Sequence, residues 1–311
     1  MTLEPHARFG TLPDRVVLKT DKGPAMFRST SPGRIAAASA SAVFAVCILA
    51  GTASVASAAA GNEATPPRQS WSFSGPFGTF DRAQLQRGFK VYKEVCSNCH
   101  GLTYLSFRNM SEKGGPEFSA AQIKELASTH KVMDGPNDKG ETYERPGRPS
   151  DKMPSPFPNP EAAKATLNAV PPDLSLIAKA RGYSRGVLLS ILDSVTQYQE
   201  QGPDYVAALL NGYTDAPKGV KVEDGLHYNT YFPGNKLSMA KPLNADQVEY
   251  TDGTKGTVEQ YSRDVTAFLM WTAEPKLEDR KRTGTFFMLL MLVLAGSVYL
   301  TKKKIWSAIA H

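Results

Sequence analysis

The sequence predicts an all-α domain with long loops, followed by one membrane-crossing helix. Three observations carry this. Apolar residues recur at helical spacing in several segments, strand signals are sparse, and residues 283–301, "TGTFFMLLMLVLAGSVYLT", contain no charge. That uncharged run spans about 28 Å at ~1.5 Å per residue, close to the thickness of a bilayer core. A buried core helix is rarely apolar on every face between two basic clusters, so the run is expected to be a transmembrane span.

The first 60 residues read as an N-terminal extension and an export signal. Arg28 and Arg34 precede the apolar run "AVFAVCILAG", and small residues follow with cleavage choices ending at Ala58 or Ala60. Residues 1–25 are polar and fit no part of that pattern, which makes Met26 a candidate start. Cys47 lies inside the apolar run and is expected to leave with it, so that the mature chain keeps Cys96 and Cys99. With an exported body, residues 61–282 form a periplasmic domain, 283–301 the span, and 302–311 a cytoplasmic tail.

Within the body, Leu85, Phe89, Tyr92 and Cys96 recur at helical spacing, which predicts an amphipathic helix over 79–100 with the cysteines at its C-terminal end. Ser119 with Gln122 makes a capping-box start for a second helix bearing Ile123 and Leu126. The stretch from Met133 to Ala162 is dense in Pro, Gly and charge and reads as one irregular loop. Helices are expected over 173–181, 184–198 and 204–211, the last stopped by Gly212. A second long loop covers 215–256. Thr257 with Gln260 then caps a helix carrying Val265, Phe268 and Leu269 that ends before Pro275. Long loops in a compact domain want something to fold around.

The net charge of +6 does not imply nucleic acid. The excess lies before residue 61 and in Lys302, Lys303 and Lys304, and between Gly61 and Arg282 the two signs balance. The body therefore lacks the electrostatic footprint that nucleic-acid binding requires.

Cys96, Cys99 and His100 stand in the order Cys-x-x-Cys-His, the attachment signature of c-type haem. On a helical turn, residues i, i+3 and i+4 share a face, so both thiols reach the vinyl groups while the imidazole points at iron. A structural zinc site needs four ligands, and outside the motif the mature chain offers only His130, His227 and His311. A thioredoxin-like dithiol needs a βαβ context, and a plain disulfide leaves His100 without a role. One covalent haem c is the expected cofactor. A haem that only moves electrons fills its sixth position, and methionine there raises the potential. Met133, Met153 and Met239 are the loop-borne candidates. Spacing alone favours Met153 in "KMP", and Met239 in "YFPGNKLSMAKP" stays open beside it.

From residue 73 onward the chain resembles the cytochrome c1 family, the haem subunits of the cytochrome bc1 complex. The resemblance rests on "GPFGTFDRAQLQRGFKVYKEVCSNCHGLTYLSFRNM", "AVPPDLSLIAKAR", "PDYVAALLNGY", "YFPGNKLSMAKPL", "DVTAFLMWTAEPKLEDRKRTG" and the single C-terminal span. It implies a cytochrome c-like fold with His100 and Met239 as axial ligands of the haem iron. It also implies Arg181 at a haem propionate, with Pro171, Pro172 and Tyr205 in the haem surroundings. The implied function is transfer of one electron from a Rieske iron-sulfur protein to a c-type cytochrome. The implied setting is a dimeric complex with cytochrome b in a bacterial inner membrane, as a subunit of ubiquinol–cytochrome c reductase. Residues 182–202 separate Arg181 from "PDYV" by more than in shorter family members. Between residues 190 and 260, ten acidic residues stand against five basic ones, an expected docking face for a basic acceptor. The alternative functions are an anchored c-type cytochrome serving another oxidoreductase, and a haem sensor with an open coordination site.

Overall fold

The computed structural model describes residues 64–183, 186–196 and 198–307, so the expected export signal lies outside the described residues. In chain order these residues form α1 (Arg82–Glu94), a 3-10 turn (Cys96–Asn98), a second 3-10 turn (Phe107–Ser111), α2 (Ala120–Ser128), β1 (Lys131–Asp134) and β2 (Tyr143–Pro146). Then follow α3 (Pro160–Leu167), α4 (Ile177–Ala180), α5 (Val187–Thr196), α6 (Gln201–Asn211), β3 (His227–Tyr228) and β4 (Lys236–Leu237). A 3-10 turn, Pro233–Asn235, precedes β4, and α7 (Val258–Ala273) and α8 (Leu277–Trp306) close the chain. The predicted helical class holds. The strands make two small antiparallel ribbons, with Lys131 opposite Pro146 and His227 opposite Leu237.

α1 and α7 form the centre. The predicted stripe of α1 is buried at Leu85, Phe89 and Tyr92, and it meets Phe268 of α7 with ring centroids 5.6 Å from Phe89 and 5.9 Å from Tyr92. The helices approach this closely because residue 88 is glycine. A Cβ there would lie 2.0 Å from the Asp264 carbonyl oxygen and 2.7 Å from Phe268 Cβ. At the edge of the same contact Asp264 is fully buried, and Arg87 reaches it at 2.9 Å. A buried carboxylate is tolerated only when paired and hydrogen-bonded, and Gln260 Nε2 donates to it as well.

Several helix ends differ from expectation, each for a local reason. α1 starts at Arg82, later than the expected 79, because Asp81 caps it by accepting from Gln84 N. It stops at Glu94, and the cysteine pair begins on the tighter 3-10 turn that follows. At Thr257 half of the capping box forms, because Gln260 spends its side chain on Asp264. α4 is a single turn, since Asp173 and Ser175 use their side chains on a neighbouring loop. α6 begins three residues early, with Pro203 in a first turn where no backbone N–H is needed. α3 starts at the end of the stretch read as loop and runs five residues beyond it, with Asn159 as N-cap, Pro160 at its first position and Asn168 in the left-handed region at its end (φ 55°).

α8 is longer than the predicted span at both ends. Its first turn is tied to the domain: Glu278 takes a two-pronged bond from Arg82 at 2.7 and 2.8 Å and accepts from Phe80 N at 2.8 Å. Leu277 is buried, Lys276 pairs with Glu112 at 2.9 Å, and Lys281 Nζ donates to the Phe73 and Gly78 carbonyls. Beyond this turn the apolar side chains are exposed, as a lipid-facing helix requires.

Candidate functional site

The site grows from two loops that clasp each other beyond the end of α1. His100 N donates to the Cys96 carbonyl at 2.9 Å, which closes the turn carrying both thiols. The loop after α3 then meets the loop after His100 through a chain of bonds. Leu174 N donates to the Gly101 carbonyl at 2.9 Å, Thr103 N to Asp173 Oδ2 at 2.9 Å, and Tyr104 N to Ser175 Oγ at 3.1 Å. Asp173 Oδ1 also accepts from Ser175 N at 2.8 Å. Burial pushes the Asp173 carboxyl up, but hydrogen bonds from Ser175 and Thr103 outweigh it and hold the group below the ordinary aspartate range.

This clasp sets the chemistry of His100. Its Nδ1 lies 2.8 Å from the Pro172 carbonyl oxygen. A carbonyl only accepts, so the proton sits on Nδ1 and the Nε2 lone pair is left for a ligand bond. Imidazoles that bind metals are oriented in this way, through the nitrogen that does not bind. Burial holds the His100 pKa below the ordinary imidazole range, against the opposing pull of the Pro172 carbonyl and Asp173. The neutral ring, which is the form that ligates, is therefore favoured. From the other side Tyr92 Oη donates to the His100 carbonyl at 3.0 Å.

Cys96 and Cys99 are both free thiols. Cys96 packs against the core, and burial pushes its pKa up to about 12, which makes it a poor thiolate nucleophile. Met239 follows β4, half-buried against the same core, and Tyr213 Oη fixes its backbone by donating to its carbonyl at 3.0 Å. Met153 is buried within the core, and its N–H donates to the Leu105 carbonyl. Met133 is exposed. Two unbridged thiols, an imidazole with Nδ1 already engaged and a half-buried thioether are a donor set that fits a covalently held haem.

The remaining predicted residues separate. Pro172 serves the site through its carbonyl. Arg181 caps the end of α4 with an exposed side chain, and Tyr205 is buried in α6 against the core. Gly202 lets α6 start against α4, because a Cβ there would lie 1.8 Å from the Ala178 carbonyl oxygen. Sequence reasoning missed Tyr92, Asp173 and Tyr213. Tyr92 read as a core residue, and only the Pro-Pro-Asp-x-Ser run hinted at a structured loop.

The acidic region is weaker than its composition suggests. Asp193, Glu200 and Asp204 are buried, and Glu223 and Asp252 pair with Lys236 and Arg87. Asp204 in particular holds the irregular segment before α1, accepting from Trp71 Nε1 at 2.8 Å and Gln69 N at 3.0 Å. What remains between residues 190 and 260 is five acids facing four lysines.

Residues 71–309 match the model of the Cytochrome C1 family. The chain is 58% identical over 244 residues to a cytochrome b/c1 of Bradyrhizobium diazoefficiens, an alignment covering 78% of this chain and 36% of that relative. It thus spans about a third of the length of that relative. It is 46% identical over 256 residues to a cytochrome c1 of Blastochloris viridis, covering 82% and 90% of the two chains. A cytochrome c1 of Rhodospirillum rubrum is 41% identical over 261 residues, covering 78% and 88%.

Proposed function

The chain belongs to the cytochrome c1 family, and from that premise we propose that it is the haem-bearing electron-transfer subunit of a cytochrome bc1 complex. In this reading it takes one electron from a Rieske iron-sulfur protein and passes it to a c-type cytochrome. Haem, when bound, supplies a one-electron iron couple. The chain's own residues hold and tune it. Cys96 and Cys99 fasten it through their sulfurs. His100 presents Nε2 because Pro172 holds the Nδ1 proton, and Tyr92 steadies the backbone of the same residue. Met239, its main chain held by Tyr213, would supply a thioether ligand to the haem iron, and such ligation would favour the ferrous state. Arg181 offers an exposed guanidinium to a propionate.

The domain needs no general acid or base in this role, since no substrate bond is broken. Its work is orientation, partial exclusion of water and tethering to a membrane through α8. We place the haem domain in the periplasm and the complex, a dimer with cytochrome b, in a bacterial inner membrane. The bond from His100 Nδ1 to the Pro172 carbonyl is the observation that supports the reading most.

The test is the state of the pigment in the purified chain. A pyridine haemochrome spectrum typical of two thioether links is expected, with the colour retained in acidified acetone. Co-purification of a b-type cytochrome and a Rieske protein is expected alongside. A chain whose pigment extracts into acidified acetone, or that carries none, would refute the proposal. Carbon monoxide binding to the reduced wild-type chain would favour a sensor instead.

A further inference from the structure

α5 leaves large apolar side chains uncovered. Leu188 is 83% exposed, Ile191 60%, Leu192 52% and Leu189 41%, all within three turns. The helix carries no lysine, arginine or glutamate, and its one acid, Asp193, is buried and accepts from Gln201 Nε2 at 3.1 Å. An apolar face without charges is unfavourable in water.

Its position identifies what covers it. The end of α5, at Thr196, shares a cleft with Ser74, Gly75, Tyr198 and Glu200. Gly75, Pro76 and Glu200 share a second cleft with Leu277, Arg280 and Lys281, in the first turns of α8. Lys281 lies two residues before the uncharged run, about 3 Å along the axis at ~1.5 Å per residue. The loop of residues 73–78 is fixed at this level by Lys281, and within it Phe77 is 78% exposed. The C-terminal end of α5 and the loop bearing Phe77 therefore lie beside the first turns of α8.

We infer that α5 lies in the membrane interface, with Leu188, Leu189, Ile191 and Leu192 seated at the boundary between headgroups and acyl chains and Phe77 as a second contact. The occupant is lipid. The exposed apolar run of α8 begins at Phe286, five residues beyond Lys281, and α5 offers no charge to specify a protein mate. Ten residues lying flat cover about 15 Å of interface, a depth and length suited to a surface-lying amphipathic helix. The inserted segment of residues 182–202 thereby becomes a second membrane foothold.

The full-length holoprotein, reconstituted alone into phosphatidylcholine–phosphatidylglycerol vesicles, tests this. A phospholipid carrying a diazirine high on its acyl chain is photolysed, and the labelled peptides are mapped by mass spectrometry. Label is expected in α5 as well as in α8. The double variant Leu188→Glu, Ile191→Glu is expected to lose label in α5 about fivefold with α8 unchanged. Labelling of α8 with none in α5, while hydroxyl radicals from water modify α5, overturns the inference. Protection of α5 from both reagents overturns it too, because a second protein copy then covers the face. Neither result depends on the haem reading, since label in α8 reports the span whatever the domain carries.

Discussion

Replacing Asp173 by alanine removes the carboxylate that joins the two loops of the clasp. Two backbone N–H groups, of Thr103 and Ser175, lose their acceptor at 2.9 and 2.8 Å. Hydrogen bonds to a charged acceptor contribute about 1.5–3 kcal/mol each; water largely replaces the one at exposed Thr103, so the bond from buried Ser175 carries most of the loss. The expected loss is roughly 2–3 kcal/mol, a factor of about 30–150 in the stability of the closed clasp. With a urea slope of about 3 kcal/mol per molar for a domain of this size, the midpoint falls by about 0.7–1 M. Asparagine at the same position keeps an acceptor oxygen and is expected to lose about half as much. The assay is urea unfolding of the detergent-solubilised holoprotein, followed by far-UV circular dichroism. A midpoint shift below about 0.2 M for the alanine variant would mean that the clasp is not what orders these loops.

Other expectations follow from the same contacts. Because the Asp173 pKa is depressed in the fold, its contribution is complete above the ordinary aspartate value of about 4 and is lost as pH falls through the folded value. The midpoint gap between wild type and Asp173→Asn should therefore hold at neutral pH and narrow as pH falls below about 4. Asp151, which accepts from Arg145 at 2.6 Å, titrates at about 2, so its stabilisation disappears between pH 3.8 and that value, as acid unfolding of Asp151→Asn against wild type would register. Gly88→Ala gains ~1 kcal/mol in helix propensity but forces α1 off α7, for a net loss of roughly 2 kcal/mol by urea midpoint; a neutral result would contradict the close approach. Met239→Ala is expected to make the reduced holoprotein bind carbon monoxide, while Met153→Ala leaves it inert; the reverse outcome reassigns the axial ligand. Neutralising Asp246 and Glu249 should change the association rate of a basic acceptor by less than about twofold in stopped flow, because the acids of this region are nearly matched by lysines.

The helices were legible where the chain marks them locally. Ser119 and Gln122 form both arms of the capping box foreseen for α2, and the stripe of α1 is buried at the positions its spacing named. The Cys-x-x-Cys-His run stands out in the sequence equally, since three of its five residues are chemically distinctive. What could not be read is whatever depends on distant partners. Asp173 looks like the start of a helix until Thr103 arrives from 70 residues away. Tyr213 over Met239 and the carbonyl of Pro172 under His100 belong to the same kind. The acidic count misled for a related reason, because composition does not report which carboxylates are buried.

The two-pronged bond between Arg82 and Glu278 joins the base of the motif-bearing helix to the root of the membrane span. The pair behaves as a lever with its fulcrum at the bilayer surface. A 13-residue helix is roughly 20 Å long, so a lean of about 10° in the span, transmitted through that joint, would carry the far end of α1 about 3 Å together with the α7 packed on it. Hydrocarbon thickness, which governs how far a span leans, is thereby linked to the attitude of the helical domain that the span carries.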